Sequence, residues 1–223
     1  INVLPVTPTQ TSAMPKRKRV APTFTYRPSN LQRLHPNIAT VQDCASTQIC
    51  QQFIDLCEAK VGFTNTDHSQ YTQSTTDLEV DAHRPIRKFL LRHQLIDMVS
   101  KAMKDTHRAT PTGFNDMFVV KYDATGQREL KRHFDGGDVS FMLALSSRKN
   151  YTGGGTKFDC LDKEVHLAQG SMVLFDGDLY HQGLPIDGGT RYLLVGFCYT
   201  DTANECELGH INLSLKKLKR CKE

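Results

Sequence analysis

His133 and Asp135 stand two positions apart, and on an extended strand side chains two apart point to the same side. An imidazole and a carboxylate can therefore be offered to one point in space. A third residue, His181, lies far downstream and has to return to that point through the fold. If it does, two imidazoles and one carboxylate share one face of a site, the arrangement that suits non-haem Fe(II) and leaves coordination positions open. Taken alone the triplet is weak, because the chain has nine histidines and an H-x-D spacing arises readily by chance. Its weight comes from the residues around it.

The elements that would position these groups follow from the hydrophobic rhythm. From about Val41 to Lys60 the apolar residues Ile49, Phe53, Leu56, Cys57 and Val61 recur at helical spacing, with Gly62 as a stop. A second helix is predicted from Pro85 to about Lys104. Ile86, Phe89, Leu90, Met98, Val99, Ala102 and Met103 form its apolar face, and Arg87, Lys88, Arg92, Lys101 and Lys104 its wet one. Between the two, residues 62 to 83 are polar and rich in Thr and Ser, which reads as a long loop, a lid or a mobile connection.

After Gly113 the rhythm becomes short extended runs separated by turn residues. They are Met117 to Tyr122, Leu130 to His133, Val139 to Ser146, Gly155 to Phe158, Val165 to Leu167, Met172 to Phe175, Leu179 to His181 and Arg191 to Tyr199. About eight strands preceded by two helices predict a mainly β fold, a barrel or jelly roll buttressed by helices on one face. The domain plan is a basic arm over 1–40, a single domain over 41–205 with helical support at 41–104 and a β core at 115–200, and a basic tail over 206–223. The arm is rich in Pro, Thr, Ser and Gln without a sustained apolar period, so disorder is expected there.

Composition narrows the class. With 223 residues and 39% hydrophobic content, one domain with a sizeable core is the expectation. No run approaches the ~18 apolar residues of a membrane span, and the opening residues lack the apolar region of a signal peptide. Seven cysteines form no C-x-x-C pair, which argues against a zinc ribbon or a fully paired disulfide framework. Cys198 and Cys206 could pair in an oxidising compartment. The formal net charge of +4 is concentrated at the ends, in Lys16 to Arg19 and Lys216 to Arg220. The first run has the composition of a nuclear-import signal or of a patch for an acidic partner, and a solvated tail is its bland reading. Two sequons, Asn150-Tyr-Thr and Asn212-Leu-Ser, would be usable in the secretory pathway. The number of sequons is near chance, and Asn150 lies close to the candidate site, so an intracellular location is the expectation, nuclear if Lys16 to Arg19 acts as an import signal.

R-H-F-D at 132 to 135, Y-T-G-G-G-T-K-F at 151 to 158, the glycine of Q-G-S-M-V-L-F, and H-Q-G-L-P-I-D-G-G-T-R-Y-L-L-V-G-F from His181 to Phe197 occur in that order. Together they resemble the Fe(II)- and 2-oxoglutarate-dependent dioxygenases, in particular the prolyl 4-hydroxylase and procollagen lysyl hydroxylase branch. The resemblance implies a double-stranded β-helix, the cupin-like jelly roll, with iron held by His133, Asp135 and His181. It implies 2-oxoglutarate and O₂ as cosubstrates, with ascorbate an optional reductant, and a Pro or Lys side chain of a polypeptide as target. Arg191 stands where the family binds the distal carboxylate of 2-oxoglutarate, and a guanidinium fork can make two parallel bonds to it. Tyr122 matches a tyrosine whose hydroxyl reaches the cosubstrate, although Tyr is also a common barrel filler. Thr190 and Thr156 are further candidates for the polar lining, and Phe134 for the entrance.

Two features bear on the variant. Asp135 excludes the halogenating relatives, which replace the carboxylate by a small residue. Arg191, where prolyl 4-hydroxylases tend to carry Lys, is closer to the lysyl branch. The alternative reading is a nucleic-acid-directed oxygenase or a basic nucleic-acid binder. It is disfavoured because the charge is terminal and Arg191 is followed by Y-L-L-V-G-F without a second arginine.

Overall fold

The computed structural model describes residues 23–60, 62–66, 74–201 and 213–214. The chain opens with a hairpin, β1 (Leu31–His35) and β2 (Ile38–Val41), then helix α1 (Thr47–Lys60). A second hairpin, β3 (Thr64–Thr66) and β4 (Thr75–Glu79), leads to helices α2 (Arg84–Arg92) and α3 (Leu95–His107). The remaining strands are β5 (Pro111–Asp123), β6 (Leu130–His133), β7 (Val139–Ala144), β8 (Tyr151–Gly153), β9 (Thr156–Phe158), β10 (Met172–Asp176), β11 (His181–Gly183) and β12 (Ile186–Thr200). A short β13 (Leu213–Ser214) pairs with β5.

The strands form a large antiparallel sheet in the order β1-β2-β10-β7-β12-β5-β4-β3 and a small one in the order β6-β11-β9. Strand β7 and the stretch 193–199 of β12 are largely apolar because both of their faces are covered. Phe141, Leu143 and Leu194 point to one side, where they pack against Ile49 and Phe53 of α1 and Met98 and Val99 of α3. Met142, Ala144, Leu193 and Val195 point to the other and fill the barrel with Phe158, Phe175 and Tyr122. This two-layer core is the expected jelly roll with helices on one face.

Several expectations are corrected. The arm predicted to be disordered to residue 40 is folded in its last part. Ile38–Val41 is buried along its whole length and pairs with β10, with Met172 opposite Val41. The polar stretch predicted as a loop contributes β3 and β4, with Asp77 opposite Val120 of β5. Its threonines are β-branched, and branching favours a strand even where the composition is polar. The first helix starts at Thr47, capped by the Ser46 hydroxyl, which accepts from the Ile49 amide at 3.2 Å. The second is two helices, broken where Gln94 takes a left-handed conformation with φ 62°. Of the strand predicted at Val165 to Leu167, only a bridge from Val165 to Thr156 forms. The runs at 16–19 and 216–220, Asn212 and Cys206 lie outside the described residues. Cys198 is a buried thiol.

Candidate metal centre

The small sheet brings the distant histidine home. His181 of β11 pairs directly with His133 of β6 on one side and with Phe158 of β9 on the other. Direct antiparallel partners carry their side chains on the same face, so the two imidazole centroids lie 4.4 Å apart. Asp135 follows β6, and its main chain is pinned by the Asp135 amide donating to Gly177 O at 2.9 Å. Its Oδ1 stands 3.4 Å from His133 Nε2 and 3.6 Å from His181 Nε2.

The hydrogen bonds orient both rings. His133 Nδ1 lies 2.7 Å from Lys131 O, and His181 Nδ1 lies 3.0 Å from Leu179 O. A carbonyl oxygen only accepts, so each Nδ1 donates, and Nε2 is the ring nitrogen turned toward Asp135. Burial pushes the His181 pKa down against the opposing pull of Asp135, which keeps the ring neutral. Phe175 and Phe158 wall that ring at 4.8 and 5.5 Å. Asp135 is 1% exposed, and its Oδ2 has no hydrogen-bond partner among the described residues.

A buried carboxylate with one unmet oxygen and two imidazole Nε2 atoms turned toward it make a donor set that a divalent cation would satisfy. Among the described residues this is the only group of three such ligands, with the ligand atoms within 4.8 Å of one another. The donor set therefore fits Fe(II), with Nε2 of His133, Nε2 of His181 and a carboxylate oxygen of Asp135 on one face.

Arg191 lies directly opposite Tyr122 across β12 and β5. It is 3% exposed, yet no carboxylate pairs with it among the described residues. Its guanidinium lies 5.5 Å from the Tyr122 ring centroid. Its NH1 donates to Gly155 O at 3.1 Å, and its Nε is buried without a partner among the described residues. Thr156 and Tyr122 line the same cavity as His133, Asp135 and His181. Arg191 stands behind Tyr122 and is not among the residues that line this cavity, nor is Thr190. Thr190 is adjacent to Arg191 on the strand and so faces the other way, and its hydroxyl donates to Asp123 Oδ2 at 3.1 Å.

The cavity is tight, with about 20 Å³ open to water. A larger cleft, about 890 Å³, lies between the β1–β2 hairpin and the end of α3 and holds none of the three ligands. At the outer lip Phe134 and Tyr180 are 48% and 42% exposed and meet edge to face at 5.4 Å. The Arg132 guanidinium sits 3.8 Å from the centre of the Tyr180 ring, tied to Asp159 by two bonds.

Sequence reasoning missed the roles of Phe158, Phe175 and Gly183. The first two carry no signal beyond strand periodicity. Gly183 matters for what it lacks, since a Cβ there would stand 2.7 Å from the Tyr122 hydroxyl.

No family model matches the chain. Among curated proteins, it is 40% identical over 90 residues to the procollagen lysyl hydroxylase and glycosyltransferase of Acanthamoeba polyphaga mimivirus, covering 37% of this chain and 10% of that protein. It is 35% identical over 112 residues to the multifunctional procollagen lysine hydroxylase and glycosyltransferase LH3 of Rattus norvegicus, covering 48% of this chain and 15% of that protein. The chain thus spans only a small part of the length of these relatives. The viral collagen prolyl hydroxylase of Paramecium Bursaria Chlorella virus-1, solved with 2-oxoglutarate, superposes with a TM-score of 0.53 at 16% identity, over 73% of this chain and 94% of that one. The Trichoplax adhaerens prolyl hydroxylase, solved with a hypoxia-inducible-factor peptide fragment, superposes at 0.56 with 15% identity, over 74% and 84%. A 2OG-Fe(II) oxygenase family protein of Burkholderia pseudomallei superposes at 0.56 with 12% identity, over 73% and 85%. The fold of this chain is accordingly the jelly roll of the prolyl hydroxylases and 2-oxoglutarate oxygenases.

Proposed function

We propose that this chain is an Fe(II)- and 2-oxoglutarate-dependent oxygenase that hydroxylates a prolyl or lysyl side chain of a polypeptide, releasing succinate and CO₂. The observation that carries the reading is the convergence of two imidazoles and a buried carboxylate, beside a buried guanidinium that has no carboxylate partner among the described residues. The motif order shared with lysyl hydroxylases and the fold shared with prolyl hydroxylases support the same reaction type.

When bound, iron and 2-oxoglutarate supply the oxidative decarboxylation and the hydroxylation of an unactivated C–H bond. The chain's own residues bind, orient and exclude. His133, Asp135 and His181 would hold the metal from one face and leave the other to the cosubstrate. Arg191 would take the distal carboxylate in charge-assisted hydrogen bonds, strengthened by the dry surroundings. Val120, Met142, Leu193 and Val195 keep water away from the reacting atoms. Phe134 and Tyr180 offer the polypeptide an exposed apolar lip beside the ligands.

The test is turnover of 2-oxoglutarate by the Fe(II)-loaded protein with panels of Pro- and Lys-containing peptides, and nucleic acids alongside. Succinate should form together with a peptide that has gained one oxygen, and both should vanish in Asp135→Ala. Turnover that survives Asp135→Ala would remove the metal assignment, and a dealkylated nucleic acid would replace the polypeptide substrate.

A further inference from the structure

His181 and Arg191 stand on different sheets, on β11 and β12, and one backbone oxygen touches the supports of both. Gly155 O accepts from Arg191 NH1 at 3.1 Å and from the amide of Leu184, the residue that follows β11, also at 3.1 Å. We propose that Gly155 is a positioning residue for the cosubstrate: its carbonyl fixes which edge of the Arg191 guanidinium is left to the cosubstrate, beside the Tyr122 ring that lines the ligand cavity. This rests on the oxygenase reading above.

A guanidinium has five donors in a rigid fork. Gly155 O occupies NH1, while the buried Nε–H has no partner among the described residues. The edge formed by Nε–H and NH2 is therefore the one left to donate to a carboxylate side-on, through two parallel bonds. Rotation of the group is opposed by the rings of Tyr122 and Tyr151, with centroids 5.5 and 5.9 Å away, both buried. If the Gly155 bond served only to satisfy a buried cation, leaving Nε unmatched would make no sense, since an unmet buried donor is costly.

The backbone is shaped for this contact. Gly153, Gly154 and Gly155 have φ of 70°, 67° and 124°, a run of conformations that side chains with a Cβ rarely adopt. At Gly155 a Cβ would also stand 2.7 Å from Cε1 and 3.0 Å from Nδ1 of His166. Substitution must turn the carbonyl, displace His166, or both.

The experiment compares the affinity of the Mn(II)-loaded protein for 2-oxoglutarate and for 2-oxobutyrate by calorimetry. The second acid keeps the 2-oxo acid head and lacks the distal carboxylate, so the ratio of the two affinities reports the Arg191 edge. In Gly155→Ala this ratio should fall by roughly tenfold or more, about one charge-assisted hydrogen bond, while Mn(II) and 2-oxobutyrate affinities stay unchanged. In an Arg191→Lys background the same substitution should lower the ratio no further. Adding His166→Ala relieves the ring clash and supplies a second form of the variant should the single one not fold. A ratio that survives Gly155→Ala, or equal weakening of both acids, or an additive loss in the Arg191→Lys background, would each overturn the proposal. A wild-type protein with no preference for 2-oxoglutarate would instead strike down the oxygenase reading on which it stands.

Discussion

Replacing Gly183 by alanine puts a methyl group 2.7 Å from the Tyr122 hydroxyl oxygen, 3.3 Å from its Cζ and 3.4 Å from the Leu130 amide nitrogen. Ordinary contact begins near 3.4 Å, so the hydroxyl has to give way by about 0.7 Å (3.4 minus 2.7). Tyr122 is 3% exposed and packed against Arg191, which closes the obvious exit. Gly183 is not in the left-handed region, so no backbone strain adds to the clash. Overpacking of this kind costs about 1–3 kcal/mol, and the stiffer unfolded chain returns roughly 0.4–1 kcal/mol. A net loss of about 1–2 kcal/mol is expected in urea unfolding. If β11 yields instead of Tyr122, His181 moves with it and Mn(II) affinity falls as well. Tyr122→Phe removes the offending oxygen, so the double variant should recover most of the stability and any lost metal affinity. Losses that simply add across the four proteins would refute the steric account.

Asp135→Asn should stabilise the metal-free protein by about 1–3 kcal/mol, because it removes a buried charge with an unmet oxygen. It should also weaken Mn(II) binding by at least about 100-fold, and thermal melts with and without chelator read both effects. Phe134→Ala and Tyr180→Ala should raise the KM for peptide and leave that for 2-oxoglutarate unchanged, as steady-state kinetics would show. Iodoacetamide at neutral pH should label Cys160 in the native protein. Cys44, Cys50 and Cys57, whose thiols burial pushes up to about 12, and buried Cys198 should label only after unfolding, as peptide mass mapping would reveal. Burial alone would raise the Glu58 carboxyl, but hydrogen bonds from Lys121 and Tyr192 outweigh it and hold the group below its ordinary range. That stabilisation is present above the ordinary pKa and lost as pH falls through the folded one, so the deficit of Glu58→Gln in urea unfolding should close in acid.

How much the amino-acid order disclosed depends on the kind of signal. The barrel strands were legible because β7 and the stretch 193–199 of β12 are apolar on both faces, and Leu130 to His133 was placed residue for residue. The two imidazoles and the carboxylate were legible by type and spacing. Their convergence depends on the β6–β11 register, which only the resemblance to a known family suggested. The β3–β4 hairpin was hidden because Thr75 and Asp77 are polar yet buried, satisfied by a hydrogen bond between them that no periodicity betrays. The break at Gln94 was hidden because the apolar stripe runs on through it, and nothing in a glutamine announces a left-handed turn. Strand β2 was hidden by its neighbours, four buried residues next to a Pro-rich, basic stretch. Thr190, a candidate for the polar lining, bonds Asp123 instead, since in a strand the neighbour of an inward arginine faces outward.

The three ligands hang on the small sheet, whose strands are only four, three and three residues long, whereas β5 and β12 of the large sheet run for thirteen and fifteen. Short ladders open locally at little cost while the long ones hold. Within this molecule, then, the ion would serve as a clasp as well as a reagent. It would staple β11 to the end of β6, and amides in that panel should exchange with solvent far more slowly once metal is loaded.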